Sequence, residues 1–172
     1  MACNLTQGFT LDCKDSTGGV KSIWLIDWAS TGFTVASGEV TAIAATGSIS
    51  SGSTYTYELP KQTGSMTVTT NVSTENGTVF NQADIVLRLR KLSTSKRNEL
   101  KLLAQNRVFC IVRDNTDNYW LCGYEHGCDV TSMTAETGTA LGDLVGYNIT
   151  LSAIEQEAPY LVQSAVVTSL GI

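Results

Sequence analysis

The sequence predicts a predominantly β fold, α+β at the boundary of all-β, with one helix laid on its strands. Three observations carry that prediction. Threonine occurs 23 times in 172 residues while proline occurs twice, a balance that suits strands. Apolar and polar residues alternate over several short stretches, the period of a half-buried strand. Only residues 93–106 combine apolar helical spacing with capping residues at both ends. No repeat or linker divides the chain, so residues 1–172 read as a single domain.

The elements follow in order. In residues 20–28, VKSIWLIDW, the residues Val20, Trp24, Ile26 and Trp28 share one face of a strand near the core. Residues 33–45 read as one strand, or as two short ones around Gly38. The small-residue stretch 45–54 has Ile49 as its only apolar anchor and reads as a mobile loop. In residues 54–59, Tyr55, Tyr57 and Leu59 share a face, and Pro60 ends the strand. Residues 64–92 form a long protruding hairpin. Met66, Val68 and Val72 face one way and Thr67, Thr69, Asn71 and Ser73 the other. Asn76-Gly77, beside Glu75, marks a type I′ turn at the tip.

Residues 93–106 form the helix, capped by Ser93 or Ser95 and ended by Asn106, with Leu100, Leu103 and Ala104 as its apolar stripe. Residues 107–113 and 119–128 are paired strands around the turn 114–118. Residues 129–145, small and acidic, read as a loop. Residues 146–155 form a strand with Tyr147, Ile149, Leu151 and Ala153 inward. The uncharged tail 159–172 is apolar enough to need cover, which predicts docking on a neighbouring copy.

Composition and motifs exclude several function classes. With 42% hydrophobic and 16% charged residues the chain is not a disordered one. No apolar run has the length of a membrane span. The opening residues have neither a basic nor an apolar region of the kind a secretory signal needs. Five cysteines then read as free thiols in a reducing compartment. There is one histidine, and no nucleophile elbow, phosphate-binding loop or dinucleotide fingerprint, so an enzyme is not expected. Strand alternation would place Cys122, Tyr124, His126 and Cys128 on one face beside Cys110. A tetrahedral zinc site from Cys110, Cys122, His126 and Cys128 is the weaker reading, because the spacing is not that of a zinc knuckle. No cofactor is expected.

Charge is segregated along the sequence. Residues 85–113 carry Arg88, Arg90, Lys91, Lys96, Arg97, Lys101, Arg107 and Arg113 against Glu99 alone. Residues 114–172 carry eight acids and no Lys or Arg. A positive edge of one copy could therefore meet a negative edge of the next. The expected interface residues are Arg88, Arg90, Lys91, Lys96, Arg97 and Lys101 against Asp114, Asp117, Glu125, Asp129, Glu155 and Glu157.

The Thr-rich hairpin, the basic helix and the closing stretch GDLVGYNITLSAIEQEAP at 142–159 together resemble the tail-tube-like structural proteins of tailed bacteriophages, with ring proteins of crAss-like phage tails as the nearest type. Residues 65–124 carry most of the resemblance. It implies a β-sandwich or barrel subunit with the helix on its side, assembling into a hexameric or larger ring. Residues 1–60, outside the resemblance, are expected to hold partner-specific strands. The implied partners are copies of itself, adjacent tail or head–tail ring proteins, and DNA passing through the lumen without sequence-specific binding. The implied location is the virion tail, after assembly in the host cytoplasm. An acidic lumen would keep DNA from sticking. A secretion-tube subunit would share the same ring fold. The rival reading is a β-sandwich binding or decoration module that uses Trp24, Trp28, Trp120, Tyr55 and Tyr57 to recognise carbohydrate or a capsid surface.

Overall fold

The computed structural model describes residues 8, 9, 11, 13, 14, 16–29, 32–44, 49 and 54–172. Its strands are β1 (Val20–Asp27), β2 (Phe33–Ala36), β3 (Glu39–Ile43), β4 (Thr54–Glu58), β5 (Gly64–Ser73), β6 (Thr78–Arg90), β7 (Val108–Asp114), β8 (Tyr119–Cys122), β9 (Asp129–Glu136), β10 (Gly146–Glu155) and β11 (Tyr160–Val162). The helices are α1 (Thr94–Gln105) and α2 (Ser164–Leu170). The mainly β class holds, with two helices rather than one. The loop expected over 45–54 lies outside the described residues except for Ile49 and Thr54.

The strands make two open sheets, one ordered β2-β3-β11-β8-β7-β1-β4 and one ordered β5-β6-β10-β9. One apolar cluster lies between them. The seven-stranded sheet contributes Ile23, Leu25, Cys110 and Val112. The four-stranded sheet contributes Ile85, Leu87, Ile149 and Leu151, and α1 adds Leu100 and Leu103. A second cluster covers the other face of the seven-stranded sheet, where Trp24, Ile26, Phe109, Ile111 and Leu121 meet Val166, Val167 and Leu170 of α2. Strands β1 and β7 are therefore buried on both faces, which explains their near-continuous apolar runs IWLI and VFCIV. The one-faced reading of β1 is corrected accordingly. Val20 joins the first cluster rather than siding with Trp24, because the pairing of β1 with β7 slips between Val20 and Ser22.

Several boundaries depart from expectation for physical reasons. Ser37 and Gly38 both take positive φ, so 33–43 is a tight β2–β3 hairpin. The long hairpin closes differently from the type I′ expectation at Glu75, Asn76 and Gly77. Ser73 pairs with Thr78, leaving a four-residue connection in which only Gly77 has positive φ and the Asn76 N–H donates to Ser73 Oγ at 3.3 Å. Beyond Met66 the hairpin outruns the core and leaves Val68, Val72, Val79 and Phe80 exposed. In α1, Ser93 is the N-cap and accepts from the Lys96 N–H, while Ala104 is exposed rather than part of the stripe.

Residues 129–136, read as loop, form β9 paired with β10. The tail does not wait for a neighbour. β11 lies between β3 and β8 of its own sheet, and α2 covers the second cluster.

Asp114 organises the β7–β8 turn. Its Oδ1 accepts from the Thr116 N–H at 2.8 Å, the Thr116 hydroxyl at 2.7 Å and the Asn118 N–H at 2.9 Å. Its Oδ2 accepts from Trp120 Nε1 at 3.1 Å. Burial pushes its carboxyl up, but these hydrogen bonds outweigh it and hold the group below the usual value. Asp114→Ala is expected to cost about 1 kcal/mol at pH 7. Because the folded value is depressed, the contribution is fully present above about pH 4 and fades as pH falls further. Urea unfolding of both forms at pH 7 and pH 3 checks this; a gap that does not narrow at pH 3 refutes the carboxylate's role.

Candidate functional site

The three candidate zinc thiols converge, but the set does not assemble. Cys110 and Cys122 face each other in register across β7 and β8. Cys128 sits beside them through a bridge to Val108, with hydrogen bonds of 3.1 and 2.7 Å. The expected strand over 119–128 stops at Cys122. Gly123 and Gly127 take positive φ, and a turn carries His126 out to solvent. Among the described residues no group of three His, Cys, Asp or Glu is arranged to hold a metal ion.

All three thiols are inaccessible to solvent. Burial raises Cys122 to about 12 and lifts Cys110 and Cys128 well above the ordinary thiol value, with neighbouring thiols adding to the effect on both and Glu155 on Cys122 and Cys128. Alkylation at pH 8 is therefore expected to label exposed Cys13 rapidly and Cys110, Cys122 and Cys128 at least about a thousandfold more slowly. Peptide mapping with and without denaturant checks this, and fast labelling of any of the three would show that the cluster opens.

The acids expected at a subunit edge are mostly engaged inside the chain. Asp114 is bound by its own turn. Asp117 pairs with Lys21 at 3.1 Å and Arg113 at 2.8 Å, and Asp129 approaches Arg107 at 3.7 Å. Glu155 is buried and accepts from the Glu125 and His126 N–H groups at 2.7 and 3.2 Å, fixing the turn after β8. These four are corrected to intrachain roles, while Glu125 and Glu157 remain exposed. The cations differ. Arg88, Arg90, Lys91, Lys96, Arg97 and Lys101 are all exposed, and none has an ion pair among the described residues. Lys96 Nζ donates to the Arg90 carbonyl at 2.7 Å.

The aromatic platform of the rival reading does not form. Trp24 is in the core, and Trp28 lies under the Arg107 guanidinium, 5.4 Å from its ring centre. Trp120 is tied to Asp114. Tyr55 is half exposed, and Tyr57 is lifted to about 12 by burial and by the nearby Glu99 carboxylate and Tyr55.

What the sequence did not single out is the pair of free edges on the four-stranded sheet. β5 and β9 are its outer strands, ten and eight residues long. All three pairings in this sheet are antiparallel, so the outer strands run in opposite directions. The face turned away from the core carries Ser65, Thr67, Thr69 and Asn71 on β5 and Asn148, Thr150 and Ser152 on β10. Its charges are Asp84, Asp129 and Glu136 against Arg88 and Arg90, near balance rather than strongly acidic.

Among the described residues no helix is long and apolar enough to cross a membrane. No family model, curated protein or solved structure matches the chain.

Proposed function

We propose that the chain is a virion structural subunit that forms a ring or tube segment of a phage tail or head–tail junction. The observation that carries this reading is the four-stranded sheet with two long unpaired edges of opposite direction. A copy rotated about an axis roughly along the strands brings its β5 beside β9 of its neighbour in antiparallel register. Repetition of that heterologous contact closes a ring and removes every free edge of this sheet. The polar outer face then lines the lumen. Hydroxyls and amides with nearly balanced charge give little phosphate affinity, so DNA passes without being held or read. The exposed cations of β6 and α1 are available to adjacent ring proteins.

The test is light scattering on the purified chain after size exclusion, with negative-stain images of the same peak. Six copies of the 18.4 kDa chain give about 110 kDa and a ring with a central hole. A single-chain mass at every concentration overturns self-assembly and favours the decoration-module reading.

A further inference from the structure

The seven-stranded sheet also has an unpaired edge, at β4. All five residues of β4, whose side chains alternate between the two sheet faces, line one groove of about 590 Å3. That groove therefore runs along the edge of the strand. Its far wall is the end of β6 and the first half of α1, through Leu89, Arg90, Lys96, Glu99 and Leu100. A free strand edge facing a helix across an apolar-floored groove is the geometry that accepts an extended segment as an added strand.

The same chain offers a segment of matching character. Phe9 and Leu11 are fully exposed and Cys13 is exposed too, a period-two apolar series without a partner in its own chain. Asp12 and Asp15 in this stretch match the free cations Arg90 and Lys96 on the groove wall. The root of the segment is held away from its own β4. The Asn115 side chain donates to the Gly18 carbonyl at 2.7 Å, and the Asn115 N–H to the Gly19 carbonyl at 3.1 Å. Both bonds tie the root to the β7–β8 turn, across β1 from β4.

We infer that the segment carrying Phe9 and Leu11 in one copy adds as a strand to the β4 edge of a second copy, seating its apolar side chains in the groove between β4 and α1. Main-chain hydrogen bonds supply affinity, and Tyr55 with the groove floor selects the apolar residues. The inference rests on the assembly reading for the presence of a second copy, but it concerns a different sheet edge from the β5–β9 junction.

The receptor for the test is the full-length chain carrying Phe9→Ser and Leu11→Ser, both at solvent-exposed positions, so that its own segment does not compete. A fluorescent peptide of residues 7–15 is titrated into it under reducing conditions and followed by anisotropy. Saturable binding that weakens at least tenfold in the further variant Tyr55→Ala supports the docking. Lack of saturation by about 1 mM, or binding indifferent to Tyr55, overturns it. The mass of the unaltered chain judges assembly separately. Rings without peptide binding overturn the docking alone, and peptide binding by a chain that never forms rings overturns the ring alone.

Discussion

The double substitution Thr69→Glu with Asn71→Glu is expected to convert rings into 18 kDa monomers without unfolding the chain. Both residues lie on the outer face of β5, opposite Gln82 and Phe80 of β6, so no carboxylate stands directly across from either within the chain. Exposed strand substitutions of this kind change stability by fractions of a kcal/mol. At the β5–β9 junction the new charges would meet a strand that carries Asp129 and Glu136. Like charges across an interface cost several kcal/mol, and a ring incurs that cost at every junction. The dissociation constant should rise at least about a hundredfold. Thr69→Lys with Asn71→Lys reverses the sign and should keep the rings. Light scattering and near-UV dichroism on the three chains separate the outcomes: rings of unaltered mass from the glutamate variant would mean that β5 is not at the junction.

Phe109→Ala should be the most damaging single core change, at about 3–5 kcal/mol. The ring is 1% exposed and meets Phe33 edge-on at 5.1 Å between centres, with Trp28 at 6.4 Å. It also packs so closely on Gly32 that a methyl group there would strike it. Its loss empties the middle of the second cluster, on which β2, α2 and Ile49 all depend. For a chain of this size the melting temperature should fall by roughly 10 °C or more. Thermal and urea unfolding measure it, and a loss under about 1 kcal/mol would mean that the second cluster repacks freely.

Where one face of a strand is buried, the sequence was easy to read. β10 alternates cleanly because Tyr147, Ile149, Leu151 and Ala153 enter the core while their neighbours face out. α1 was legible from its cap and its leucines. β9 was hidden because its pairing with β10 slips between Thr150 and Leu151. That slip places Val130 and Met133 out of period although both reach the core. The tail 159–172 advertised its need for burial but not where that burial occurs, since β11 finds its place between strands more than thirty-five residues away in sequence. Charge blocks along the chain misled for a related reason. Turns return Asp114, Asp117 and Glu155 to local donors, and only the cations remain free. The free edges at β4, β5 and β9 are properties of strand order, which local patterning does not encode.

The position of β11 has a consequence for how the chain is made. The β2–β3 hairpin joins the rest of its sheet only through β11, which pairs with β3 on one side and β8 on the other. During synthesis that hairpin emerges early, yet its place beside β8 stays vacant until residues 160–162 have been translated. The nascent chain can pair β1 with β7 and close the β5–β6 hairpin beforehand. The apolar residues Phe33 and Val40 meanwhile lack the covering they receive from α2. A ribosome stalled shortly before residue 160 would therefore present a half-built sheet to chaperones and proteases, and release from the stall would complete it in one step.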